Sequence, residues 1–177
     1  VEKIQQNKQI TTIKIRNANQ NDIFPIYVVL SRAFNALRNR EYSKKAIEAA
    51  ITPQSLIKRR LFLPKNVVLV ATNEGQIIGT VTGTEQFEYF HVHSLAVDPR
   101  FQRCGVGYGL MTELEKRARK IGSNKLFVQT AWAMFEAINL YRRLEFELEG
   151  YHPRQFFGED LLSFGKILKS LYHRKRA

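Results

Sequence analysis

A lone cysteine, Cys104, excludes an internal disulfide framework and suits a reducing compartment. That cysteine and four scattered histidines (His91, His93, His152 and His173) make no ligand cluster, so no metal is expected. Long apolar runs are missing as well. No stretch approaches the roughly 20 apolar residues of a membrane-spanning helix. Val1 to Asn21 is polar, without the apolar segment of a signal peptide. Internal repeats and low-complexity segments are also absent. The expectation is one domain over residues 1–177, cytoplasmic and without a membrane partner. Acidic residues are in short supply, with 16 Asp+Glu against 28 Lys+Arg and a net charge of +12. A basic surface favours anionic partners. Much of the excess lies in a basic tail, 166–177, with Lys166, Lys169, His173, Arg174, Lys175 and Arg176. Its plain reading is a solvated tail; the alternative is contact with nucleic acid or the ribosome.

Hydrophobic periodicity gives mixed α/β order. Ile13 and Ile15 read as a first strand. Asn21 or Asp22 caps a helix that tolerates Pro25 in its first turn and reaches Leu37. Helices follow at Ser43–Ile51 and from Thr52-Pro53 to Phe62. Strands are read at 67–72 and 77–82, joined through Asn73-Glu74-Gly75-Gln76, and at 87–97. A helix at 108–121 with Leu110, Met111, Leu114, Ala118 and Ile121 on one face ends at Gly122. A strand at 126–130, a helix at 133–144 and strands at 146–151 and 161–168 complete the chain, with 152–160 as a loop.

The segment with the most chemistry is Gln102-Arg103-Cys104-Gly105-Val106-Gly107, between a strand and a helix. Such a turn aims several backbone N–H groups at one point, and the helix dipole adds partial positive charge there. It is an anion site, and its glycines let a phosphate approach the backbone. The dinucleotide fingerprint has a different glycine spacing, and no Lys-Ser/Thr pair closes a nucleotide-triphosphate loop. The spacing Gln/Arg, two residues, Gly, one residue, Gly/Ala resembles the pyrophosphate motif of the GCN5-related N-acetyltransferases (GNAT). Leu95-Ala96-Val97-Asp98-Pro99 and Ala137 to Phe146 are similar to that family too.

The resemblance implies the GNAT fold: a central mixed, mostly antiparallel, twisted α/β (α+β) sheet of about seven strands flanked by about four helices. It implies an acetyl-CoA-dependent N-acetyltransferase acting on a primary amine. It places the pantetheine arm along Leu95, Ala96 and Val97. The pyrophosphate falls at Gln102, Arg103, Cys104, Gly105, Val106, Gly107 and Tyr108. Backbone donors carry that contact, so the side chains of Cys104 and Val106 matter little. Tyr141 matches the tyrosine near the coenzyme sulfur, where a phenol assists thiolate departure. His91 and His93, two apart on one strand face, stand where the family often has a glutamate base. Met134 replaces an asparagine that often contacts coenzyme, and Glu145 replaces the glycine that usually precedes Phe146. Tyr151 to Asp160 looks like the aromatic loop that borders the acceptor groove, with Tyr27 and Phe34 as candidates for the opposite wall.

The acceptor expected on this basis is a protein or peptide N-terminus or a lysine. A polyamine or other small amine is the alternative, with Glu85, Glu88 and Glu159 as its acidic lining. A basic module binding CoA or nucleic acid with weak catalysis is the reading from another class. A homodimer stays open.

Overall fold

The computed structural model describes residues 12–37 and 42–168. Seven strands form one sheet: β1 (Ile13–Asn17), β2 (Asn66–Asn73), β3 (Gln76–Gln86), β4 (Tyr89–Val97), β5 (Lys125–Ala131), β6 (Glu147–Phe156) and β7 (Glu159–Ile167). Their spatial order is β1-β2-β3-β4-β5-β7-β6. Every pairing is antiparallel except β4 with β5. A parallel pair needs a crossover, and here it is α4 (Val106–Ile121). The other helices are α1 (Ile23–Asn35), α2 (Lys44–Ala50), α3 (Gln54–Phe62) and α5 (Phe135–Arg143). Three of the five are short: α2 has 7 residues, and α3 and α5 have 9 each.

Each sheet face has its own core. Alternate side chains of β2 go to opposite faces, as strand geometry requires. Val68 and Val70 pack with Ile26, Val29 and Leu30 of α1 and Ile57 of α3. Leu69 and Ala71 pack with Val106, Leu110, Met111 and Leu114 of α4. Burial on both sides is why β2 reads as a nearly continuous apolar run. Ile26, Val29 and Leu30 follow the i, i+3, i+4 spacing of one helix face. Burying each stabilises by roughly 1.5–3 kcal/mol, more than a first-turn proline such as Pro25 disturbs.

Several boundaries differ from the sequence reading. The entry to α1 is a single 3-10 turn, Gln20–Asp22, capped by Asn19; Asp22 is the N-cap position of α1, as expected, but its side chain makes no cap bond to that helix. Asn19 Oδ1 accepts from the Asn21 amide at 2.9 Å, and Asp22 Oδ2 accepts from the Asn19 amide at 2.7 Å. Ile121 is exposed, because α4 ends there and the chain turns away at left-handed Gly122. Most of 152–160 is strand: β6 runs to Phe156 and a tight turn leads into β7. Pro153 is compatible with this because β6 lies at the sheet edge and Pro153 falls where its register with β7 shifts, between His152 and Phe156. Lys166 is no solvated tail residue. It lies in β7 with Nζ 2.8 Å from Glu115 and 3.5 Å from Glu145. The rest of the basic tail, 169–177, lies outside the described residues.

Candidate active site

The parallel ladder between β4 and β5 is short. It begins at Tyr89 opposite Lys125 and ends at Val92 opposite Val128. Beyond that rung β4 still pairs with β3 as far as Val97, and β5 still pairs with β7 as far as Ala131. The two strands therefore diverge, leaving an edge of β4 at residues 93–97 facing a gap. The cause is a bulge. Thr82 pairs with His93 but Thr80 pairs with Ala96, so β4 holds an extra residue between them. Ser94 takes the left-handed conformation, φ 50°.

The gap leads to the N-terminus of α4. Arg103 (φ 63°) and Gly105 (φ 82°) turn the chain, and α4 starts with no side-chain cap. Its first N–H groups have no intrahelical partners and face outward at an exposed turn. A side chain at Gly105 would meet no atom within 4 Å, so its surroundings are open. Gly107 differs: a Cβ there would sit 3.3 Å from Leu140, so its absence also lets α5 approach α4. Gln102 Nε2 donates to the Val97 carbonyl at 3.2 Å, joining turn to strand. The Arg143 guanidinium stands 5.8 Å over the Tyr108 ring, bringing a cation beside the turn. Cys104 is exposed, whereas Val106 is buried in the α4 core and its side chain does matter for packing.

Asp98 anchors this junction. It is 1% exposed and accepts from the Arg100 backbone, Arg100 Nε and Nη2, and Arg32 Nη1 at 2.7–3.1 Å. Burial would raise its pKa, but the Arg100 and Arg32 bonds prevail and hold it at about 2. The end of β4 is thereby tied to α1 and to the turn before α4.

On the other side of the gap lies a cleft of about 430 Å³, with a mostly apolar wall. His91, His93, Leu95 and Tyr141 all reach it. The histidine rings stand 4.0 Å apart. Burial, with Arg60 close by, lowers the pKa of His91. Burial, His91 and Arg60 lower that of His93 to about 3. Both are neutral imidazoles at neutral pH. Tyr141 packs against Phe146 and Phe164, at ring distances of 5.7 and 5.8 Å, rather than against exposed Phe135. Burial raises its pKa, so the phenol keeps its proton.

The remaining candidates separate. Phe34, Met134, Phe156 and Glu159 line the cleft. Tyr27 packs with the α1 core instead. Glu145 holds φ 64°, which is the physical reason a glycine is favoured there. Arg60, Thr52 and Ser94 also line the cleft and escaped sequence reading. One signal was available: Arg60 stands three residues after buried Ile57, toward the apolar side of α3.

The Acetyltransferase (GNAT) family model matches residues 29–146, from α1 through the end of α5. The chain belongs to the GNAT family of acetyltransferases. An acetyltransferase of Pectobacterium atrosepticum is 30% identical over 95 residues, which span 54% of this chain and 67% of that protein. The fold of the ribosomal-protein-S18-alanine N-acetyltransferase of Escherichia coli superposes with a TM-score of 0.75 at 17% identity, covering 92% of this chain and 98% of that one. The PaiA N-acetyltransferase of Thermoplasma acidophilum, solved in complex with coenzyme A, gives a TM-score of 0.75 at 16% identity, covering 86% and 98%. Within this GNAT chain, the unpaired β4 edge and the uncapped helix terminus fit an extended ligand ending in phosphates. Among the described residues no helix is long and apolar enough to cross a membrane, and no group of three metal-ligating side chains occurs.

Proposed function

We propose that this GNAT chain moves the acetyl group of acetyl-coenzyme A to a primary amine. The pantetheine arm lies along Leu95, Ala96 and Val97, and the pyrophosphate lies on the turn from Gln102 to Tyr108. One observation carries the reading: the β4 edge left free beyond Val92 and Val128 runs from the histidine and tyrosine cleft to the open terminus of α4. When bound, acetyl-coenzyme A supplies an acetyl thioester. His93, with His91 beside it, accepts the hydrogen that the amine loses as its nitrogen bonds to the acetyl carbon. Tyr141 donates its phenolic hydrogen toward sulfur as the carbon–sulfur bond breaks, and regains a proton from solvent. The products are an amide and a free thiol.

A protein or peptide N-terminus, or a lysine, is the acceptor class carried into this reading. Phe156 and Glu159 on the cleft wall support it, since they come from the hairpin that borders the acceptor groove in the family. The chain acts as one domain, and its lone cysteine suits the cytoplasm. The test is thiol release from acetyl-coenzyme A across peptides, polyamines and small amines. Thiol release matched by amide formation is the expected result. Salt-sensitive RNA binding without turnover would point to a basic binding module instead.

A further inference from the structure

Arg60 is a cation in the cleft with no counter-charge among the described residues. Its Nη1 donates to Ser94 Oγ at 2.9 Å, and Ser94 Oγ lies 2.9 Å from Thr52 Oγ1. Among the described residues no carboxylate forms an ion pair with it. Burial lowers its pKa, and no acid raises it again. His91 and His93 beside it are neutral and offer no compensation. Glu159 is the one carboxylate among the lining residues, and it accepts from the Ser43 amide at 2.8 Å. A guanidinium has five N–H donors, and among the described residues Nη1 alone is seen to donate, to Ser94. Withdrawing such a group from water without an anion is costly, and a bound carboxylate removes that cost.

We infer that Arg60, with the Thr52 and Ser94 hydroxyls, holds a carboxylate of the acceptor, so that the acetylated amine belongs to a molecule bearing a carboxylate and an apolar group. This rests on the acetyltransferase reading and narrows its acceptor. The apolar wall from Phe34, Ile47 and Leu56 receives the apolar group. A cation in the cleft opposes a second cation, which disfavours polyamines and favours the neutral form of the incoming amine. Two sources supply this chemistry: a free α-amino acid, or the acidic first side chain of a peptide.

The test uses the full chain and matched acceptors: leucine and leucinamide, phenylalanine and phenylalaninamide, and the dipeptide amides Asp-Ala and Asn-Ala. The parent should prefer the carboxylate member of at least one pair by about 10- to 100-fold in kcat/KM, the scale of a charge-assisted hydrogen bond. The preferred pair identifies the source. Arg60→Met should abolish the preference and Arg60→Lys retain part of it, while coenzyme A affinity by calorimetry stays at the parent value. Equal use of both members by the parent overturns the inference. So does a preference that survives in Arg60→Met, or a lack of turnover for every carboxylate-bearing acceptor while coenzyme A binds. Failure of the parent to bind coenzyme A overturns the acetyltransferase reading itself.

Discussion

Val92 lies opposite Val128 in the last rung of the parallel β4–β5 ladder. On one side of that rung the strands make ordinary sheet. On the other they part, and His93, the bulge at Ser94 and the free edge at Leu95–Val97 come together there as the proposed site. The sheet contributes directly to the site, because a strand that stops pairing leaves hydrogen-bonding groups for a ligand.

Tyr141→Phe tests the leaving-group role. The ring packing against Phe146 and Phe164 survives the change, so the fold should hold. Turnover should fall by about 10- to 1,000-fold, near the usual scale of general acid catalysis, with KM for acetyl-coenzyme A little altered. Steady-state kinetics read both, and parent-like turnover would leave Tyr141 with packing alone.

The histidines make a prediction about pH. His93 faces His91 from its own strand and Arg60 from α3, with Tyr141 of α5 and Glu159 of β7 lining the same cleft. With its pKa at about 3, His93 does not titrate near neutrality. A histidine base of ordinary pKa, about 6.5, would give an acidic limb near neutrality. The depressed pKa removes it. His93→Ala should slow turnover by a similar factor at every pH above about 5, leaving the profile to the amine's own ionisation. Turnover against pH for parent, His91→Ala and His93→Ala decides, and a limb near pH 6.5 that vanishes in one variant would contradict the depressed pKa.

Stability should respond to acid in two windows. The unfolded chain protonates His93 near 6.5, whereas the fold resists until about 3, so stability falls as pH drops between those values. Asp98 binds its proton near 3.8 when unfolded and near 2 when folded, so its contribution is present above 3.8 and is lost toward 2. His93→Gln should flatten the upper window. Asp98→Asn should cost roughly 1.5–3 kcal/mol at neutral pH, the scale of a charge-assisted bond. Urea unfolding at several pH values measures both. A His93→Gln curve parallel to the parent's would remove the first assignment.

Much of this was legible before the structure. The strand, glycine turn and helix around residues 95–121 advertise themselves through β-prone residues, a stopping proline, glycines and helical spacing. Local signals of that kind survive without tertiary context. What stayed hidden is tertiary. Nothing about Ser94 announces φ 50°, because serine is no specialist in that conformation. Pro153 and Gly158 mark 152–160 as a loop, and only the edge position of β6 makes a strand acceptable there. Arg60 meets His93 across 33 positions of chain, a meeting that no spacing rule encodes. Gly107 reads as a phosphate residue, and its second service, close to Leu140, depends on where α5 packs.

The most direct test of the central claim is a calorimetric titration of coenzyme A into the parent and Cys104→Asp. Cys104 is exposed at the turn and has no positive φ, so aspartate fits without strain and brings a negative charge to the proposed pyrophosphate position. The account predicts binding by the parent, affinity at least about 10-fold weaker in the variant, from the charge it sets against the phosphates, and unchanged thermal stability. Equal affinity in the two proteins, or no binding by the parent, would contradict it.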